Sequence, residues 1–353
     1  LSLLEDLPTE LCERGWIPDP LARFGMRRLI RQRVREERAR GAAGQAGFLE
    51  SLREGPIAVA TEDANQQHYE VPSAFFETVL GPRLKYSCAH YDAPGDDLAT
   101  AEENMLALTC QRAGVADGMR ILDLGCGWGS LSLWLAEHHP EARITALSNS
   151  ATQRAHIEAR AEAAGLRNLE VITADVVDWD TEARFDRVLS IEMFEHMSNH
   201  AALLERVMGW LAPEGRLFTH VFCHRELGYH YVPGDGWMER HFFTGGIMPR
   251  EDLFEQFPEQ VHVEQRWWVD GTHYERTSNH WLARLDAERD RVARICSETY
   301  GAGQASLWVQ RWRMFFMACA ELFGIDGGDS YGVVHSLMRA ADRADRADRA
   351  EEG

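Results

Sequence analysis

The 353-residue chain has no C-x-x-C pair, no run of eighteen apolar residues and no H-E-x-x-H sequence. Its cysteines (Cys12, Cys88, Cys110, Cys126, Cys223, Cys296, Cys319) are scattered, so neither a zinc ribbon nor a disulfide framework is indicated. That usage fits a reducing cytoplasm, the expected location. Without a long apolar run, no membrane insertion is expected. The first thirty residues carry many charges and no apolar h-region, so no signal peptide is expected. Positive charge is also scarce: 37 Lys and Arg against 56 Asp and Glu give a formal net charge of −19. This balance argues against nucleic acid, and against an anionic bilayer surface, as the main partner. What remains is ordinary for a globular protein, with 45% hydrophobic and 26% charged residues. The length suffices for one large domain with additions or for two domains.

The most telling segment is Arg120-Ile-Leu-Asp-Leu-Gly-Cys-Gly-Trp-Gly-Ser130. Its apolar positions around one aspartate read as a buried strand. Three glycines at alternate positions, Gly125, Gly127 and Gly129, then open an amphipathic helix from Leu131 to Glu137. Glycines here let backbone approach a ligand with no Cβ in the way, and the helix behind them offers free N–H groups. The pattern is not the dinucleotide fingerprint G-x-G-x-x-G. It is G-x-G-x-G, which resembles motif I of S-adenosylmethionine-dependent methyltransferases and makes S-adenosylmethionine the expected cofactor.

From about residue 105 the chain alternates helix and strand. Strands are expected at 120–124, 143–147, 169–173, 185–191 and 216–222, with helices at 129–138, 151–164 and 198–211. Asn199 or Ser198 would cap the last of these, and Pro213-Glu-Gly215 reads as a turn. Such alternation argues a doubly wound, mostly parallel sheet. Residues 223–250 are irregular and rich in aromatic residues and glycine, a composition that usually marks function. A strand at 261–268, helices at 278–299 and 303–324 and a last strand from Tyr331 to Met338 complete the reading. Residues 1–60 read as largely helical. Leu21 to Arg40 is dense in arginine around Leu21, Phe24, Leu29, Ile30 and Val34, either an apolar stripe with a solvated basic face or an arm for an anionic partner. Gly41 to Gly47 should break that helix. The tail from Ala341, with its repeated Ala-Asp-Arg, is low in complexity.

Ligands of doubly wound sheets sit at the carboxyl ends of the strands. The first strand ends in the glycine turn. The second ends in Ser148-Asn149, where nucleoside sites usually carry an acidic residue, and Gln153 follows one turn on. The third ends at Asp175, which either accepts from an adenine amino group or caps a surface helix. The fourth ends in Glu192, Glu195 and His196, beside the place for a donor methyl group. Carboxylates there can hold a cationic amine, and a histidine with a pKa near ~6.5 can take its proton at neutral pH. Both glutamates are expected to be ionised and to face the acceptor. His196 and His200 lie i, i+4, but no third ligand is apparent and no metal is expected. The aromatic residues Tyr229, Tyr231, Trp237, Phe242, Phe243, Trp267, Trp268 and Tyr274 could form part of the core or a lid over a cation.

Together, His68-Tyr-Glu-Val-Pro, Lys85-Tyr-Ser-Cys88, Leu122-Asp-Leu-Gly-Cys-Gly-Trp-Gly129, Ser148-Asn-Ser, Phe194-Glu-His-Met197, His220-Val-Phe-Cys-His224 and Ala320-Glu-Leu-Phe-Gly324 resemble the cyclopropane fatty acid synthase superfamily. Within it the chain is most similar to the coclaurine N-methyltransferase branch. The resemblance covers roughly residues 10–338. It implies a class I methyltransferase Rossmann-like α/β fold with an antiparallel last strand. A helical extension would occupy 1–85, the cofactor-binding core 86–222, an acceptor-pocket lid and helical insertion with one core strand 223–325, the last core strand 326–338 and the tail 339–353.

By the same resemblance Tyr86, Ser87, Gly125, Asn149, Gln153, Asp175 and Val176 would hold the donor, with Gly127 between them. Glu192, Glu195 and His196 would serve the acceptor amine. Cys88, His220, Tyr231, Trp237, Phe242 and Tyr274 are the expected pocket residues. The lipid-modifying branch holds a bicarbonate ion with a cysteine, a glutamate, a histidine and a tyrosine, a set that Cys88, Glu195, His220 and Tyr274 could supply. Glu192 stands where the lipid enzymes tend to have glycine. The resemblance and the acidic charge favour N-methylation of a small aromatic or cyclic amine. Methyl or methylene transfer to an unsaturated acyl chain, transfer to sulfur or carbon, and a donor-binding module without turnover are the competing readings. The partner would be that small molecule, with room for a homodimer.

Overall fold

The structure, a computed structural model, describes residues 2–58, 71–231 and 236–341, with side chains from residue 7 onward. His68, Tyr69 and Glu70 of the first motif, and the tail beyond Ala341, lie outside the described residues. Seven strands form one sheet: β1 (Arg120–Leu124), β2 (Arg143–Ser148), β3 (Leu169–Thr173), β4 (Phe185–Ile191), β5 (Leu211–His224), β6 (Val261–Asp270) and β7 (Tyr331–Ala340). Their spatial order is β3-β2-β1-β4-β5-β7-β6. β1 to β5 pair in parallel. β7 runs antiparallel to β5 on one side and β6 on the other, so the reversed strand lies inside the sheet. Ile121, Leu122, Val188, Leu189, Leu217 and Phe218 are fully buried. Their near-continuous apolar runs follow from helices covering both faces of a parallel sheet.

Those helices include α1 (Ser2–Glu13), α2 (Asp19–Ala39), α3 (Gly41–Ser51), α4 (Ser73–Val79), α5 (Leu98–Ala113), α6 (Ser130–His138), α7 (Ala151–Ala163) and α8 (His200–Gly209). After β6 come α9 (Gly271–Ala287), α10 (Arg289–Tyr300) and α11 (Ala305–Gly324). Side-chain caps set several starts. Asp97 accepts from Thr100 N, Asn199 from Ala202 N and Asp270 from Thr272 N, each satisfying an N–H that the first turn leaves open.

The structure departs from the sequence reading in four places. The break expected over Gly41–Gly47 is confined to Gly41, whose φ of 61° redirects the chain; α3 then continues through Gly44 and Gly47. The turn expected at Pro213–Gly215 lies inside β5, where the pairing with β4 shifts register. A Cβ on Gly215 would come within 2.6 Å of the Phe185 carbonyl oxygen, so glycine lets the bulge close. The helix read over 278–299 starts earlier, at Gly271, and divides at Glu288 into α9 and α10. On α2 the expected apolar stripe is only partly buried: Leu21, Phe24 and Leu29 stand 57%, 60% and 63% exposed, while Met26, Ile30 and Val34 pack on the core. Its basic face is not simply solvated. Arg23 and Arg27 both reach Glu321 on α11, which fastens α2 to the helix that borders the site.

Candidate active site

At the carboxyl end of β1 the glycine turn folds against β2, with the Gly125 and Cys126 N–H groups both donating to the Leu147 carbonyl at 3.0 Å. Two glycines there do different work. A Cβ on Gly129 would sit 2.6 Å from Ile157, so glycine lets α6 and α7 approach. Gly127 has φ 53° and nothing within 4 Å of where its Cβ would be. Its missing side chain leaves open space on the wall of a cavity of about 210 Å³. A single water needs only ~10–15 Å³ by that measure, so the cavity is sized for a ligand.

Of the residues expected to hold the donor, Tyr86, Ser87, Gly125, Gly127 and Gln153 line this cavity. Asn149, Asp175 and Val176 do not. Asn149 is exposed, and Asp175 uses Oδ1 to accept from Val177 N at 2.9 Å in a local turn, with no helix there for it to cap. Gln153 shows that the site fits a polar ligand. Its Oε1 accepts from Ser148 Oγ at 2.6 Å, which fixes the amide, while its buried Nε2 has no partner. Buried donors are seldom left open. Ser130 Oγ, also on the wall, is likewise buried without a partner. Two open polar groups beside a glycine cradle match the hydroxyls and carboxylate of S-adenosylmethionine.

The other end of the cavity centres on Glu192, just past β4. Its φ of 48° is a left-handed conformation, uncommon for a residue with a side chain and suited to glycine. The carboxylate accepts from three sides. Cys88 N–H donates to Oε1 at 3.0 Å, His220 Nε2 lies 3.2 Å from the same oxygen, and the Tyr274 hydroxyl donates to Oε2 at 2.7 Å. Burial nevertheless pushes the Glu192 carboxyl up to about 7, against the opposing pull of Lys85 and these donors. His196, Tyr231, Phe242 and Tyr274 complete this end of the wall, with Phe243 in T-shaped contact with the His196 ring at 4.9 Å.

Glu195 is placed differently from the expectation that both glutamates face the acceptor. It is fully buried and off the cavity wall. Oε1 accepts from Phe222 N at 2.7 Å while Oε2 has no partner. Burial, with Glu192 nearby, raises its pKa well above the usual carboxylate range, which favours its neutral form. Cys88 and His220 also stand behind the wall, where they touch Glu192 and not the cavity. Trp237 sits behind Phe242 at 5.3 Å and donates to Glu13 at 2.8 Å.

A family model for mycolic acid cyclopropane synthetase matches residues 58–331. (S)-Coclaurine N-methyltransferase of Thalictrum flavum subsp. glaucum is 34% identical over 337 residues, 93% of either chain. The chain belongs to this family, in its coclaurine N-methyltransferase-like branch. The enzyme of the same name from Papaver somniferum is 31% identical over 338 residues, 93% of this chain and 96% of the other. The crystal structure of a coclaurine N-methyltransferase bound to N-methylheliamine and SAH superposes with a TM-score of 0.91 at 33% identity, over 96% of this chain and 100% of that one. The fold is therefore the class I methyltransferase fold that the glycine turn implied.

One wall residue of this family member escaped the sequence reading as a functional group. Lys85 is the only lysine in the chain; every other Lys/Arg position is arginine. It is buried, and its Nζ donates to Ser87 Oγ at 2.5 Å and to the Cys88 carbonyl at 2.7 Å. Burial lowers its pKa while Glu192 holds it up. A compact ammonium suits this space where a planar guanidinium would not. A lone lysine among so many arginines was the available signal. Trp281, Phe315 and Phe323 also line the cavity from α9 and α11. Among the described residues no helix is long and apolar enough to cross a membrane, and no cluster of three or more His, Cys, Asp or Glu could hold a metal ion.

Proposed function

We propose that this enzyme methylates the nitrogen of a small cyclic amine of the tetrahydroisoquinoline class. It is an S-adenosylmethionine-dependent methyltransferase. The observation that carries the acceptor reading is the Glu192 carboxylate, which is aimed into an aromatic cavity. Cys88, His220 and Tyr274 are three of the four residues that would hold a bicarbonate ion in the lipid-modifying branch. Here their hydrogen bonds converge on a carboxylate of the chain itself, on a residue whose backbone suits the glycine of that branch. A tethered carboxylate in place of a loose anion leaves a negative charge, gained as pH rises through about 7, to meet a cationic substrate.

When bound, S-adenosylmethionine supplies a sulfonium-activated methyl group. The roles of the residues around it follow from their placement. Gly127, Gln153, Ser130, Tyr86 and Ser87 hold the donor. Glu192 anchors the incoming ammonium, and Tyr231, Phe242 and Phe243 exclude water and face the cation with ring surfaces. His196, on the same wall, takes the proton that must leave before nitrogen can attack. An alkyl amine with a pKa near ~10.4 is only about one part in 10³ neutral at pH 7, so local deprotonation lowers the apparent barrier by roughly 4–5 kcal/mol. Glu195, tied to Phe222 N, holds the loop that presents Glu192 and His196.

The compartment inferred is the cytoplasm, since the cysteines among the described residues are all free thiols. A homodimer is inferred from the exposed Leu21, Phe24 and Leu29 on α2; analytical ultracentrifugation giving a monomer at micromolar concentration would reject it. The function itself is tested by incubating the enzyme with labelled S-adenosylmethionine and either heliamine or vesicles of unsaturated phosphatidylethanolamine. Label in N-methylheliamine supports the proposal. Label in the lipid alone overturns it.

A further inference from the structure

The Glu192 carboxylate is one end of a hydrogen-bonded chain that runs along one face of the sheet, from β5 to β7. β5 and β7 pair with His220 opposite His335, and β6 places Trp267 on the other side of His335. Both histidines are fully buried. His220 Nε2 lies 3.2 Å from Glu192 Oε1, His335 Nε2 lies 2.9 Å from His220 Nδ1, and Arg112 Nη1 lies 2.9 Å from His335 Nδ1. Arg112 comes from α5, half-buried, with its guanidinium 5.2 Å from the centre of the Trp267 ring.

This chain has a direction. A guanidinium carries only donors and does not release a proton in proteins. His335 Nδ1 must therefore accept from Arg112. Burial, with Arg112 and Lys85 adding to it, holds both imidazoles well below their usual pKa, so each is neutral and has one N–H. His335 then carries its proton on Nε2 and donates to His220 Nδ1. His220 in turn carries its proton on Nε2, where it points at Glu192. We infer that Arg112 is a positioning residue for the active site: from α5, at the far end of this chain of hydrogen bonds, it sets the tautomer of two buried histidines, and thereby gives Glu192 an N–H in place of a lone pair. Without the guanidinium the chain is free to reverse. A bare His220 Nε2 would then face Glu192 and favour its protonated form.

The other groups that face Glu192 are Lys85, Cys88, Tyr274, Cys319 and Glu195, and His335 also faces His90 and Lys85. None of these is altered by a change at Arg112. The effect on catalysis rests on the amine reading above, whereas the tautomers do not depend on it. The test is therefore two-part. In protein labelled with ¹⁵N-histidine, long-range ¹H–¹⁵N spectra should show both His220 and His335 as Nε2–H tautomers. In Arg112→Met at least one should change to Nδ1–H. The acid limb of kcat/KM for heliamine should then move up by about one pH unit with unchanged affinity for S-adenosylhomocysteine, and Arg112→Lys should restore both tautomer and limb. Any other tautomer in the wild-type protein overturns the inference, whether or not the variant folds. So does an Arg112→Met protein with unchanged tautomers, or one whose limb stays in place. Failure to methylate heliamine counts against the amine reading alone and leaves the spectra decisive.

Discussion

The two ends of the cavity are built from different materials. The donor end is made largely of backbone and polar side chains that follow β1 and β2, Gly127, Ser130 and Gln153, with Tyr86 and Ser87 added from the segment after α4. The acceptor end is made of side chains drawn from far apart: Glu192 and His196 after β4, Tyr231 and Phe242 from the irregular stretch, Tyr274 from α9, Phe315 and Phe323 from α11. A ligand shared by every reaction of a family can be held by geometry that glycine and strand ends supply. A ligand that differs between enzymes needs side chains, which can change without disturbing the sheet. The donor end should therefore fail through sterics, and the acceptor end through charge and protonation.

The largest effect expected, apart from that at Glu192, is at His196. His196→Ala should lower kcat by about 10²–10³ with little change in donor affinity. The loss should shrink as pH rises and free amine becomes abundant; kcat profiles from pH 6 to 9.5 measure this. A loss of constant size across that range would make His196 a structural residue. Next is Gly127→Val, which should weaken S-adenosylhomocysteine binding by at least about 10²-fold in calorimetry, since its side chain would enter the ligand's space. A positive φ strains valine wherever it sits, so Gly165→Val, with φ 70° and open space around it, serves as the control and should bind normally. Equal loss in both would mean that strain, and not the cradle, is being measured.

A smaller effect separates the two glutamates. Burial favours the neutral form of Glu195, so Glu195→Gln should keep activity to within a few-fold, while Glu195→Ala should lower the melting temperature by removing the acceptor of Phe222 N–H. A Glu195→Gln enzyme as inactive as a Glu192 variant would show that Glu195 works as an anion. The smallest effect is on stability. The Glu192 pKa is raised on folding to about 7, so its ionisation costs stability that is absent below the unfolded carboxylate range and grows as pH rises through about 7. Glu192→Gln should thus melt about 2 °C or more above wild type at pH 8, and lose that advantage at pH 5. Thermal scans at the two pH values check the sign.

What the sequence made legible follows the same division. The strands at 120–124, 169–173 and 185–191 stand where their apolar runs put them, because residues buried between two helical layers have little choice of period. The glycine turn was readable because glycine at alternate positions has few other uses. Glu192 was visible as a carboxylate at a strand end, but its partners were not: Cys88, His220 and Tyr274 lie on three separate elements, and only the folded register brings them together. The burial of Glu195 was also hidden. Glu192 lies just before the short turn Phe194–His196 that carries Glu195; the first lines the cavity and the second is buried behind it, and strand-end position alone does not distinguish them. Asn149, a polar residue at the end of β2, is exposed and off the cavity wall.

The central claim is that the Glu192 carboxylate, and not the cavity's shape, receives the acceptor. It is tested most directly by measuring kcat/KM for heliamine with Glu192→Gln, a variant that keeps the side chain's volume, loses its charge and exchanges one acceptor oxygen for an NH2 donor, alongside calorimetric affinity for S-adenosylhomocysteine. A fall of about 10²–10³ in kcat/KM with donor affinity within two-fold of wild type, about the scatter of such a measurement, is the predicted result. Full activity in Glu192→Gln, with the donor still bound, would contradict it.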